Sequence, residues 1–163
     1  IGAKGRYVPP LLQPLGVEVR LERPRAFRQR HTAVRQERAL LEGLRERCET
    51  ASGDFFKSVP AGGDAYLMKH IIHDWDDERA LVILKNIHAA LHGKPGGKVI
   101  LLESVIQPGN RPDFGKFIDL EMLVAPGGRE RTAEEFTSLF ARAGFTLTRI
   151  VPTESPLSVI EAM

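Results

Sequence analysis

From residue 65 onward the apolar positions follow two different repeats. Over residues 65–72 (Ala-Tyr-Leu-Met-Lys-His-Ile-Ile) they are dense enough to predict a strand. Over residues 76–91 they recur three and four apart, at Ala80, Leu81, Ile83, Leu84, Ile87, Ala90 and Leu91. That spacing predicts an amphipathic helix, opening on acidic residues and closing on Gly93. Residues 98–106 (Lys-Val-Ile-Leu-Leu-Glu-Ser-Val-Ile) form a second predicted strand, whose near-continuous apolar run implies burial on both faces. Strand, helix and strand at this spacing make a βαβ unit with parallel strands.

A helix is predicted over 114–124, ended by Pro126-Gly127-Gly128, and Thr132-Ala133-Glu134-Glu135 reads as a capping box. The helix it starts stops at Gly144 and buries Phe136, Leu139, Phe140 and Ala143. Residues 146–151 and 157–162 then form two short strands separated by Pro152 and Pro156. The predicted class is α/β, with a mainly parallel sheet and an antiparallel C-terminal pair. No internal repeat or low-complexity tract is visible.

The beginning of the chain is less regular. Pro9, Pro10, Pro14 and Pro24 break any helix there, and only residues 17–21 alternate as a half-buried strand does. A helix with a thin apolar stripe at Val34, Leu40, Leu41 and Leu44 is predicted over 33–46, and a short strand-like segment over 48–51.

Composition sets bounds on this picture. With 163 residues, 42% hydrophobic and 27% charged, the chain has the make-up of one globular domain rather than a disordered or fibrous protein. The single cysteine, Cys48, allows no intrachain disulfide, which fits a reducing compartment. No run approaches the ~18 apolar residues of a membrane span and no signal peptide opens the chain, so a cytoplasmic protein without membrane contact is expected. The first residue is Ile1 rather than Met, which suggests a trimmed or incomplete product. The net charge of +2 hides a split: residues 1–48 hold 11 Lys and Arg against 5 Asp and Glu, and the rest hold 12 against 16. Only Tyr7 and Phe27 stand among the arginines of the basic part and no recognition motif accompanies them, so no nucleic-acid partner is expected.

In open α/β sheets ligands bind beyond the carboxyl ends of the parallel strands. His73-Asp74-Trp75 follows the first strand, Glu103 interrupts the apolar run near the end of the second, and Asp54 lies in the turn Gly53-Asp54-Phe55-Phe56 after the 48–51 segment. Three successive β-to-α junctions thus aim polar residues at one crevice. Plainer readings stand beside this one: Asp74 or Asp76 caps the helix, and His73 is a surface histidine. Glu103 resists such a reading, because an unpaired carboxylate within an apolar strand costs several kcal/mol, so it needs a partner. A histidine one strand away is the obvious one. His70 and His73, three apart on a strand, fall on opposite faces, and with no third His or Cys nearby no metal site is expected. Residues 93–98, glycine- and lysine-rich, precede a strand rather than a helix, so they form a turn and not a phosphate loop.

Gly53-Asp54-Phe55-Phe56, the run from Leu67 through His73-Asp74-Trp75 to Asp77, Leu102-Glu103, and Gly127-Gly128-Arg129-Glu130-Arg131-Thr132 follow one another in order. Together they resemble the S-adenosylmethionine-dependent O-methyltransferases of the caffeate and hydroxyindole type, with the bacterial enzymes that modify aromatic polyketides most alike. The resemblance implies a Rossmann-like sheet and the transfer of a methyl group from S-adenosylmethionine to a hydroxyl of a small aromatic or polyketide-like molecule. It implies that His73 is the base and that Glu103 and Glu130 flank and orient it. Asp54, Phe55, Phe56 and Lys69 match cofactor contacts, and Met122 and Asp74 match the acceptor pocket. Near neutrality an imidazole with a pKa of ~6.5 accepts such a proton, and a carboxylate on its other nitrogen fixes the tautomer.

Ahead of residue 47 the chain departs from the family. The helical dimerisation domain is missing, Ile1-Gly2-Ala3-Lys4-Gly5 resembles a remnant of the glycine loop, and Glu22 stands where the ribose-binding acid belongs. Prolines replace the intervening helix, whose dipole and backbone donors a cofactor site uses. The expected division is therefore a degraded, N-terminally incomplete start of the cofactor domain over 1–46 and the catalytic part over 47–163. A truncated or frame-disturbed coding region, impaired activity and loss of the family's homodimer go with it. A same-fold hydroxylase or decarboxylase, and a non-catalytic remnant binding a partner through a sheet edge or the basic segment, are the alternatives.

Overall fold

The computed structural model describes residues 53–92 and 94–163. The predicted strand at 17–21, helix at 33–46, segment at 48–51, Glu22 and the boundary near residue 46 lie outside the described residues. Four strands, β1 (Ala65–Lys69), β2 (Lys98–Glu103), β5 (Leu147–Pro152) and β6 (Ser158–Ala162), form one sheet in the order β1-β2-β6-β5. β1 and β2 pair in parallel, with α1 (Asp77–Ala90) as the crossover between them, whereas β6 is antiparallel to both β2 and β5. The expected antiparallel C-terminal pair is present, and among the described strands of this sheet parallel pairing is confined to β1 and β2. A second, two-stranded sheet joins β3 (Val105–Ile106) in parallel to β4 (Arg131–Thr132).

The core lies between the sheet and two helices. Met68, Val99, Leu101, Ile160 and Ala162 from the strands, Ile83, Leu84 and Ile87 from α1, and Phe136, Leu139 and Phe140 from α3 (Ala133–Ala143) are buried together. α1 begins where its sequence says it should, with the Asp76 carboxylate accepting the Arg79 amide at 2.8 Å. Thr132 and Glu135 make the predicted capping box of α3, and Gly144 ends it at φ +92°, a left-handed conformation that glycine adopts without penalty.

Two expectations need correction. The first strand does not run to Ile72. It ends at Lys69, because His70 turns into the left-handed region at φ +51° and residues Ile72–Asp74 close a 3-10 turn. The strand predicted over 98–106 is also broken: β2 stops at Glu103, Ser104 belongs to no strand, and β3 leaves to pair with β4. Burial along β2 alternates, with Val99, Leu101 and Glu103 buried and the residues between them half-buried, so one face rather than both is fully covered.

α2 (Phe114–Val124) has the predicted limits but an unexpected setting. Gly115 is its one buried residue, and Phe114, Phe117, Leu120, Leu123 and Val124 are all more than half exposed. Among the described residues no helix is long and apolar enough to cross a membrane.

Candidate active site

The break after Lys69 builds the site. Once His70 has turned the chain, the amides of Ile71 and Ile72 point back at the end of β2, and both donate to Oε1 of Glu103, at 3.1 and 2.9 Å. The carboxylate that interrupts the apolar strand is thus the anchor of the turn carrying His73. Its other oxygen, Oε2, lies 3.8 Å from Nδ1 of His73. From the opposite side Glu130 brings Oε1 to 2.7 Å from the same nitrogen, a hydrogen bond that assigns the proton to Nδ1 and leaves Nε2 as the basic nitrogen. Asp74 Oδ1 is 3.7 Å from Nε2. His73, Asp74, Glu103 and Glu130 are all buried.

Glu130 is held as firmly as Glu103. Its amide donates to Asp119 Oδ1 at 2.8 Å, tying it to α2, and the preceding Arg129 amide donates to the His73 carbonyl at 2.9 Å. This close approach depends on Gly128, where a Cβ would overlap the His73 carbonyl oxygen and the backbone of Asp74 and Trp75. The Arg131 guanidinium, 1% exposed, lies beneath the turn. It donates to the carbonyls of Ile72 at 3.3 Å, Trp75 at 3.0 Å and Arg129 at 3.3 Å, and pairs with Asp77 at 2.8 Å. Backbone on both sides of His73 is therefore fixed by one fork of donors.

Burial would push the His73 pKa down, but the charge of Glu103, the hydrogen bond and charge of Glu130, and the charge of Asp74 outweigh it and raise the pKa to about 9. Burial, with the neighbouring Glu130 charge, raises Glu103 to about 7 against the opposing pull of His73 and the two amides. His70 moves the other way: burial, then the nearby His73 and Lys69 charges, lower it to about 4. A histidine far more basic than free imidazole thus sits beside one that stays neutral.

The remaining predicted residues are distributed around this centre. Asp54 accepts the Phe56 amide at 3.0 Å in its turn, and its side chain stays partly exposed. The Phe55 ring is buried in the core, with Phe56 half-buried in front of it. Phe56 meets Trp75 edge to face at 4.8 Å, which links the Asp54 turn to the residue two after His73. Lys69 is half-buried at the end of β1, opposite Leu102. Met122 is half-buried on α2, and its carbonyl accepts the amides of Gly127 and Gly128. Asp76, not Asp74, caps α1.

Sequence reasoning missed His70, Arg131, Gly128 and Asp119. It also placed His70 and His73 on opposite faces of a strand. The strand has ended by then, so their rings lie 4.8 Å apart on the same side. A charged residue directly ahead of a capping box was the available hint for Arg131.

Comparisons with known proteins identify the family. The family model of the O-methyltransferase domain matches residues 30–146. A phenazine O-methyltransferase of Lysobacter antibioticus is 47% identical over 137 residues, covering 83% of this chain and 40% of that protein. The solved structure of the mitomycin 7-O-methyltransferase MmcR superposes with a TM-score of 0.73 at 36% identity, covering 87% of this chain and 40% of the other. An O-methyltransferase of neocarzinostatin biosynthesis, solved with S-adenosylmethionine and 2-hydroxy-5-methyl naphthoic acid, gives 0.69 at 34% identity, covering 80% and 38%. The chain thus spans about 40% of the length of the relatives it matches. A matched domain model, near-half identity and a Rossmann-like neighbour fold converge, and the chain belongs to the O-methyltransferase family.

Proposed function

We propose that this chain carries the part of an S-adenosylmethionine-dependent O-methyltransferase that deprotonates the acceptor, a hydroxyl of an aromatic or polyketide-like small molecule. The observation that carries the reading is the buried His73, held by Glu130 at 2.7 Å and flanked by Glu103 at 3.8 Å. Removing one proton from one hydroxyl needs a base whose second nitrogen is already occupied, and Glu130 occupies it.

The residues around the Asp54 turn fit an adenosine. Asp54 offers a partly exposed carboxylate to hydroxyl or amino groups, Phe56 backed by Phe55 and Trp75 offers a flat apolar wall, and Lys69 flanks them. Glu22 is assigned the ribose hydroxyls. S-adenosylmethionine, when bound, supplies an electrophilic methyl group on a sulfonium. The chain's own residues then orient the acceptor, with Met122 and Asp74 on its side of the site, and take its proton at Nε2 of His73. Most of the remaining acceleration comes from holding oxygen and methyl in line.

The raised basicity suits a phenol. With acceptor hydroxyls near a pKa of about 10, an ordinary imidazole would take the proton uphill by about 5 kcal/mol, whereas one at about 9 faces about 1.4 kcal/mol. The cost is that His73 is mostly protonated at neutral pH, so the rate climbs as pH rises toward 9.

Calorimetric titration with S-adenosylhomocysteine tests the cofactor assignment: binding is expected, and no heat at millimolar ligand overturns it. His73→Ala should then lower methyl transfer to a phenolic acceptor by about 10²-fold or more, with S-adenosylhomocysteine binding retained. Full activity in that variant removes His73 from the reaction.

A further inference from the structure

We propose that His70, His73 and Glu103 form a binding site for one zinc-class divalent cation, and that the bound ion blocks the base. A ring nitrogen of each histidine and a carboxylate oxygen of Glu103 lie within 4.8 Å of one another, with Glu103 wholly buried. Two imidazoles and a carboxylate are the donor set of zinc and its transition-metal neighbours rather than of magnesium or calcium, which take oxygen ligands.

His70 is the residue that points to a ligand. Among the described residues neither of its ring nitrogens, both shut off from solvent, has a hydrogen-bond partner, although an imidazole carries one donor and one acceptor. Its backbone also holds the left-handed φ of +51°, which costs a residue other than glycine about 1 kcal/mol. Nothing the proposed methyl transfer requires uses this ring, so two costs gather at one residue that the reaction leaves idle. Beside it Glu103 and Glu130 each keep one buried oxygen that has no hydrogen-bond partner among the described residues. Glu103, Glu130 and Asp74 crowd three carboxylates around His73, a charge that a dication offsets better than a single imidazolium.

The adjustment needed is small. A tetrahedral ion with bonds of about 2.0–2.1 Å keeps its donors about 3.4 Å apart, so the widest separation must close by about 1.4 Å. The His70 ring, which no hydrogen bond among the described residues restrains, is the one that can swing. A neutral imidazole has one lone pair. Metal on either nitrogen of His73 leaves the other carrying the proton, and the base is gone. The site itself stands on geometry alone, whereas the loss of methyl transfer rests on the function proposed above.

The test is titration of the whole chain with zinc chloride, followed by calorimetry, and with cobalt(II), whose visible absorption reports tetrahedral coordination. One equivalent of zinc should bind and magnesium should not compete. His70→Phe should weaken zinc by at least about tenfold, given that loss of an outer partner alone costs about 10–100-fold. His70→Asn, which tolerates the left-handed backbone, serves the same purpose if the phenylalanine variant misfolds. Absence of a stoichiometric site, or equal zinc affinity in a folded His70 variant, overturns the proposal. Where methyl transfer is measurable, zinc should inhibit it, at higher concentrations in the His70 variant; activation by zinc would overturn the blocking role. A chain that binds zinc as stated yet binds no S-adenosylhomocysteine would refute the function and leave the metal site standing.

Discussion

Glu103 and Glu130 are carboxyl groups shut away from water, whereas Phe117 and Leu120 on α2 are large apolar groups left in it, at 65% and 63% exposure. The two regions adjoin, since Asp119 of α2 accepts the Glu130 amide. Each carboxylate is matched by donors: two amides for Glu103, the His73 ring for Glu130. Replacing buried carboxylates by apolar residues of equal volume is often neutral for stability, so what these two add is the charge they place beside His73. The apolar face has no such internal explanation. Burying a phenylalanine or leucine is worth about 1.5–3 kcal/mol, and a contiguous exposed stripe of them marks a surface that gains from being covered. Buried charge is concentrated in the first region and uncovered apolar surface in the second.

Three substitutions probe that contrast. Gly128→Ala should have the largest effect, about 3 kcal/mol of lost stability, because its methyl group meets backbone that cannot rotate aside. Urea denaturation measures this, and a variant as stable as the parent would show that the loop over His73 is less tightly fixed than its contacts indicate. Glu130→Gln should act mainly on the reaction. The glutamate raises the His73 pKa, and His73 must be neutral to accept a proton, so removing that charge moves the rising limb of the pH–rate profile downward from about 9 and weakens the base. An unmoved limb would remove Glu130 from the control of His73. Phe117→Ala should have the smallest effect, within about 0.5 kcal/mol by thermal unfolding, against the ~3–5 kcal/mol of a buried phenylalanine. A large loss there would mean that the face is covered after all.

Periodicity was enough to find the crossover helix, α2 and the capped α3, since each depends on local spacing and caps. Glu103 was legible because a carboxylate in an apolar run demands a partner, and His73 because it stands where a strand must end. The resemblance supplied Glu130, which spacing alone did not. The His70 turn was hidden: a histidine at positive φ looks like any other residue in a string that continues with Ile71 and Ile72. Misplacing that one turn put His70 on the wrong face and extended β1 by three residues. The split of the second strand was hidden for a related reason, because Val105 and Ile106 suit a strand equally well whichever partner they choose. α2 shows a further limit, since an apolar stripe predicts a helix without saying what lies against it.

The order β1-β2-β6-β5 places the last of the described strands inside the sheet, between two strands made earlier. During synthesis β2 therefore waits with an unpaired edge until residues Ser158–Ala162 have left the ribosome, and β5 has no sheet to join before then. Until then an exposed edge of Val99, Leu101 and their neighbours is the state from which aggregation competes. Deleting Ser158–Ala162 would therefore remove an interior strand rather than a fringe.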